Sequence, residues 1–248
     1  MLTGLASAIR LLTVIPLGRW RGDVFSAGAA LPFFPLVGCL VGACGAGAYW
    51  AGLHGLSVTA GAALAVAVEL LITGNFHYDG LADTADGLWA QHSRERALEI
   101  MKDSRVGAHG LSAVACALLA RFALLASGDE AMMGLIIAAA AIARVAPVYA
   151  AVAAPYARSQ GTGKTVAAEA RWPHLLVAVA LVAVVCWGVA GRLGIFGLGL
   201  GGAMAILFTW RASRRLGGMT GDTYGAAIVI TDLVALGGML AARHLQIV

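Results

Sequence analysis

Long apolar stretches joined by short polar connections run through most of the chain. Seven stretches stand out, at about 30–52, 57–76, 107–127, 131–153, 174–191, 194–210 and 224–241. Each is near the length of ~20 residues that lets a helix cross a hydrocarbon core about 30 Å thick. The pattern predicts an all-α fold, a polytopic membrane bundle of about seven spans forming one integral membrane domain over residues 1–248. Spans five and six are the weakest pair, because Gly191 to Gly202 is glycine-rich and suits a re-entrant loop as well as two crossings. The first twenty residues carry one basic group, Arg10, ahead of a short apolar run, without a small-x-small cleavage site. They read as an amphipathic interfacial helix and not as a cleaved signal.

The polar connections differ in charge. The basic residues Arg10, Arg19, Arg21, Arg94, Arg96, Lys102, Arg105, Arg158, Lys164, Arg171, Arg211, Arg214 and Arg215 all fall on one side of a seven-span chain. Arg192 and Arg243 fall on the other, and Arg121 and Arg144 lie within spans. The positive-inside rule therefore puts the N-terminus and the 77–106 connection in the cytoplasm. Composition agrees: the chain is 60% hydrophobic and 12% charged, where a soluble domain has about a quarter charged residues. The net charge of +4 follows from this loop bias and does not point to nucleic acid. Cys39, Cys44, Cys116 and Cys186 lie in apolar segments without metal spacing and read as small hydrophobes.

One stretch breaks the apolar pattern with chemistry. Thr73 to Leu88, TGNFHYDGLADTADGL, places Asp79, Asp83 and Asp86 where a span ends. Spacings of four and three put the three carboxylates on one helix face, with Asn75 extending the stripe backwards. An acidic stripe on a soluble helix is ordinarily a solvated face. Here no basic residue is interleaved and a membrane span adjoins, which favours a divalent cation, and hard oxygen donors suit Mg²⁺ and its phosphate partners. Further along, Glu95, Glu99 and Asp103 recur every four residues, predicting a second short helix and hence a surface hairpin with carboxylates on both arms. In KDSRVG, Asp103 stands with Lys102 and Arg105, a point charge and a fork that both read phosphate. Charges inside the spans should face the bundle interior or pair, and Glu69 with Arg144 is the expected couple.

At these residues the chain resembles a known family. DGLADTADGL followed by RERALEIMKDSRVGAHG is similar to the cobalamin synthases, adenosylcobinamide-GDP ribazoletransferases of the cell inner membrane. The likeness extends to FPLVGCLVG (Phe34 to Gly42), to ARVAPVYAAVAAPYAR (Ala143 to Arg158) with GTGK nearby, and to GGMTGDTYGAA (Gly217 to Ala227). It implies a Mg²⁺-dependent transfer in which a ribose hydroxyl of α-ribazole or its 5′-phosphate attacks the corrinoid-side phosphorus of adenosylcobinamide-GDP and GMP leaves. On this reading Asp79, Asp83 and Asp86 are catalytic and metal-binding. Lys102 and Arg105 steady the phosphates, Asp103 beside them belongs to the substrate-binding set, and Thr220 and Asp222 of the glycine-rich GGMTGD turn contact substrate. Where the family pattern suggests a glutamate after the last motif, this chain has Asp232. The partners expected are the two substrates and the lipid bilayer, with a homo-oligomer left open. His77 reads as a packing residue, and His109 is balanced between packing and substrate contact. A CDP-alcohol phosphotransferase is the rival enzyme, but its DGxxAR opening is not met, since Asp83 follows Ala82. A prenyltransferase would carry two separated aspartate motifs. A transporter would show repeated halves and a polar path at mid-depth, whereas the densest chemistry here sits at the membrane edge.

Overall fold

The computed structural model describes residues 2–18, 24–89 and 93–247. Arg19 and Arg21 of the basic set lie outside them. Regular structure among the described residues is helical apart from one bridge between Tyr156 and Met219. In chain order the helices are α1 (Leu2–Leu12), α2 (Ala27–Ala30), a 3-10 turn (Leu31–Phe33), α3 (Phe34–Gly55), α4 (Val58–Thr73), α5 (Phe76–Trp89) and α6 (Arg94–Ile100). They continue with α7 (Ala108–Ala126), α8 (Met132–Ala143), α9 (Val145–Ala153), α10 (Thr162–Glu169), α11 (Trp172–Leu216) and α12 (Gly221–His244). Five helices or joined helices are long and apolar enough to cross a membrane, six if the bent α4–α5 pair counts as one.

The centre is α8, whose alanine run is buried almost throughout. Small residues let backbones approach where no hydrophobic force between helices is available. Gly38 of α3 accordingly lies against the Ala140 carbonyl, with no room for a side chain. α8–α9 and α12 are enclosed by protein, whereas α7 and α11 turn mostly apolar surface outward. Within α11, Gly191 adopts φ 56° and ψ −134°, a conformation open to glycine alone among ordinary residues. Its two arms fold back on one another there. Gly194 meets Cys186, and a cavity of about 410 Å³ is lined by Leu175 and Val179 from one arm and Leu198, Gly202 and Ile206 from the other. The glycine-rich stretch is thus a helical hairpin between two apolar arms.

Two expectations are corrected here. Arg121, 1% exposed, and not Arg144, pairs with Glu69: its Nη2 donates to both carboxylate oxygens at 2.8 and 2.9 Å, and its Nη1 is bonded to Asp232. Which helix supplies the partner is decided by packing, and α7 delivers Arg121 to both Glu69 and Asp232. Arg144 is buried and donates to the Ala140 carbonyl one turn back. Asn75 does not extend the stripe: Gly74 and Asn75 both have positive φ, 60° and 62°, and this left-handed pair turns the chain through 87° between α4 and α5.

Candidate functional site

α5 is placed by what its glycines omit. A side chain on Gly80 would lie 2.6 Å from the Asp222 carbonyl oxygen, and one on Gly87 would enter Met101. Seven residues apart, the two glycines share a face; one seats the start of α12 and the other the end of α6. α5 and α6 pack on one another where Gly87 meets Ala97 and Met101, but α6 ends at Ile100. Asp103 therefore lies past the helix, in a turn closed by its own N–H to Ile100, and shares no helical face with Glu99.

The stripe divides. Asp79 is exposed, and Asp83 and Asp86 are half-buried. Asp86 turns both oxygens to the start of α7, accepting from Gly107 N at 2.7 Å and Gly110 N at 2.8 Å. It supplies the cap that glycine at the N-cap position lacks. Asp83 takes no part in that cap. Burial first, then the charges of Asp222, Asp79 and Asp86, push its pKa up to about 7 against the pull of Arg158. Burial likewise raises Asp222, opposed by its ion pair with Arg158 at 2.6 Å. Four carboxylates thus act on one another across the α5–α12 joint. Among the described residues no three His, Cys, Asp or Glu side chains are close enough together to form a metal cage by themselves.

A second feature adjoins the first. Asp86, Ile100, Asp103, Arg105, Gly107, Ala108 and His109 line an open cleft of about 310 Å³, and His109 stacks on Trp89 at its rim. Arg105 and Asp103 are paired, the carboxylate accepting from Nε at 3.0 Å and Nη2 at 2.6 Å. The bonds from Arg105 hold Asp103 down to about 2. Lys102 is exposed beside them.

The GGMTGD segment is an internal strap. Gly217 ends α11 at φ 70°, and Gly218 at φ 149° lies against Pro155. Met219 N then donates to Pro155 O at 2.8 Å, and Ala157 N to Met219 O at 2.7 Å. Thr220 is fully buried; its hydroxyl accepts from Thr223 N at 3.2 Å, while Thr223 Oγ1 accepts from Thr220 N at 2.7 Å. This capping box occupies the groups expected to meet substrate, and leaves Asp222 as the segment's contribution to the carboxylate cluster. His77 is buried at the α5–α12 contact, where Gly225 approaches its backbone, as a packing role requires. Arg158, in the site, is the residue that sequence reasoning passed over; its position three residues after Pro155, in a segment with a YAR ending, carries no chemical signal of its own.

A family model described as cobalamin-5-phosphate synthase matches residues 4–240. The adenosylcobinamide-GDP ribazoletransferase of Chlorobaculum tepidum is 37% identical over 99% of this chain and 97% of its own. The proteins of that name from Desulforamulus reducens and Ralstonia pickettii are 38% identical, over 91% of each chain, and 40% identical, over 86% and 84%. No solved structure matches the chain.

Proposed function

Because the chain belongs to the cobalamin-5-phosphate synthase family, we propose that it is an adenosylcobinamide-GDP ribazoletransferase. It joins the phospho-corrinoid of adenosylcobinamide-GDP to α-ribazole or its 5′-phosphate and releases GMP. The observation that carries the reading is the seating of α5, through Gly80, on the Asp222 backbone at the start of α12, which brings Asp79 and Asp83 into the field of Asp222. Attack on a diphosphate demands neutralised phosphate oxygens and a held, in-line nucleophile more than covalent help.

Mg²⁺ fits this donor set. Its oxygens are all hard, and Mg²⁺ typically takes one or two carboxylates together with substrate phosphates and water in place of a full protein cage. Asp79 and Asp83 would hold it, and when bound it would neutralise charge on the diphosphate. Asp86, though assigned with them from sequence, already serves α7 with both oxygens; it fixes the helix and the cleft beside the metal pair. A carboxylate of the cluster takes the proton of the attacking hydroxyl.

The protein is multi-pass in the cell inner membrane, with this site in the cytoplasm and seven crossings. Support comes from the two arms of α11 meeting at Gly191 and from the basic residues gathered at the site end. Purified protein incubated with adenosylcobinamide-GDP, α-ribazole and Mg²⁺ should release one GMP per cobalamin formed. GDP as the leaving group, or no nucleotide release, would refute the reaction.

A further inference from the structure

From sequence Arg158 reads as one more basic residue of the 154–173 connection. The fold gives it a particular place. The Pro155–Met219 strap fixes its backbone opposite the start of α12. Its Nη2 then stands 2.6 Å from Asp222 Oδ2 and donates to the Met101 carbonyl at 3.1 Å. One nitrogen thus touches the start of α12 and the end of α6, the two segments that flank α5.

Both of those contacts use the same prong. Nε is buried without a partner, Nη1 carries neither contact, and the side chain keeps 16% exposure. Among the described residues Arg158 is the cation acting on Asp83, against three carboxylates. A diphosphate brought into this cluster adds negative charge, which a second cation must meet besides any metal. The phosphate readers expected from sequence are poorly placed for that. Arg105 commits Nε and Nη2 to Asp103 and is 87% exposed, and Lys102 is exposed on the turn beyond α6. A guanidinium can exchange a carboxylate for a phosphate of similar bidentate geometry.

We propose that Arg158 contacts the diphosphate of the nucleotide-activated substrate, offering its uncommitted nitrogen to a phosphate oxygen while Nη2 stays on, or exchanges from, Asp222. The inference rests on the transfer proposed above. The test compares wild type with Arg158→Gln and Arg158→Lys, purified in lipid nanodiscs, by calorimetric titration with GDP and with inorganic pyrophosphate. A lost charged hydrogen bond corresponds to roughly a tenfold to hundredfold weakening. Arg158→Gln should weaken both probes by that factor, and Arg158→Lys should recover part of it. In turnover, the KM for adenosylcobinamide-GDP should rise with that for α-ribazole unchanged. A residue that only ties the strap to α12 would instead lower the melting temperature and leave GDP affinity within twofold of wild type, which overturns the proposal. If Arg158→Gln does not fold, Arg158→Lys, which keeps an ion pair to Asp222, decides alone by the same twofold criterion. Wild type that binds neither probe also overturns it. Wild type that binds GDP yet releases no GMP from the activated corrinoid refutes the parent reaction, and the binding comparison still decides Arg158.

Discussion

Asp83 and Asp86 stand three residues apart on one helix and serve different neighbours. Asp83 lies in the field of Asp222, Asp79 and Asp86, which only Arg158 is seen to oppose among the described residues; Asp86 gives its oxygens to the amides of Gly107 and Gly110. Asp83→Asn should therefore abolish turnover, by about a hundredfold or more, in a protein that still folds and inserts, because the amide removes a charge its neighbours repel. GMP release measured at limiting and saturating Mg²⁺ checks this, and near-normal activity at limiting Mg²⁺ removes Asp83 from the metal set. Asp86→Ala should behave otherwise. Losing a cap costs about 1 kcal/mol, so the melting temperature should fall and activity should drop in part, without a change in the Mg²⁺ concentration needed for half-maximal rate. A shift in that concentration equal to the one for Asp83→Asn would return Asp86 to the metal.

Helices meet here through what is missing or paired between them. Gly80 lets α5 reach the α12 backbone, and Arg121 binds α4 through Glu69 and α12 through Asp232. On propensity alone, Gly80→Ala in a helix interior gains up to about 1 kcal/mol. The steric conflict with the Asp222 carbonyl costs roughly 1–3 kcal/mol. The melting temperature should fall and activity should fall with it, although every carboxylate remains; a rise in melting temperature would show that α5 does not pack this closely. Arg121→Met should be more severe, since removing the buried cation strands Asp232, buried, and Glu69, partly buried, at about 3–5 kcal/mol. Glu69→Gln with Asp232→Asn in the same background should recover part of the loss in a thermal melt. These joints mark where sequence reading stops. The stripe on α5 and the apolar spans are legible because a 3.6-residue period and a run of hydrophobes are local facts. That Asp83 meets Asp222, that Glu69 takes Arg121 and not Arg144, and that Arg158 enters the site depend on which helices pack together. Segments more than fifty residues apart carry no periodic mark of that choice. Asp103 departs from its expected helical face for a local reason: α6 stops at Ile100 and a turn begins, although the four-residue spacing of acids runs on.

Across the whole molecule, polar groups gather at two ends. One end holds α5 and α6, the strap and the start of α12. At the other, Asp129 pairs with Arg243 at 2.6 Å and Glu130 with His54 at 3.1 Å, tying the end of α12 and the end of α3 to the turn between α7 and α8. The hairpin at Gly191 belongs to this second end, for Gly134, just inside α8, abuts Val189. Charge is shared unequally: the site end carries most of the lysines and arginines, as the cytoplasmic side of a membrane protein does. The topology is testable with three exposed positions, in a chain whose Cys39, Cys44, Cys116 and Cys186 have been replaced. Ser104→Cys, in the turn after α6, should resist an impermeant thiol reagent in intact cells and react after permeabilisation. Gln246→Cys, beyond α12, should react in intact cells, and so should Arg192→Cys beside the α11 reversal. Reaction of Ser104→Cys from outside would invert the molecule and put the site away from the cytoplasm. Protection of Arg192→Cys with labelling of Gln246→Cys has a narrower meaning: both arms of α11 would enter and leave on the cytoplasmic side, giving five crossings, with the carboxylate cluster and its orientation intact.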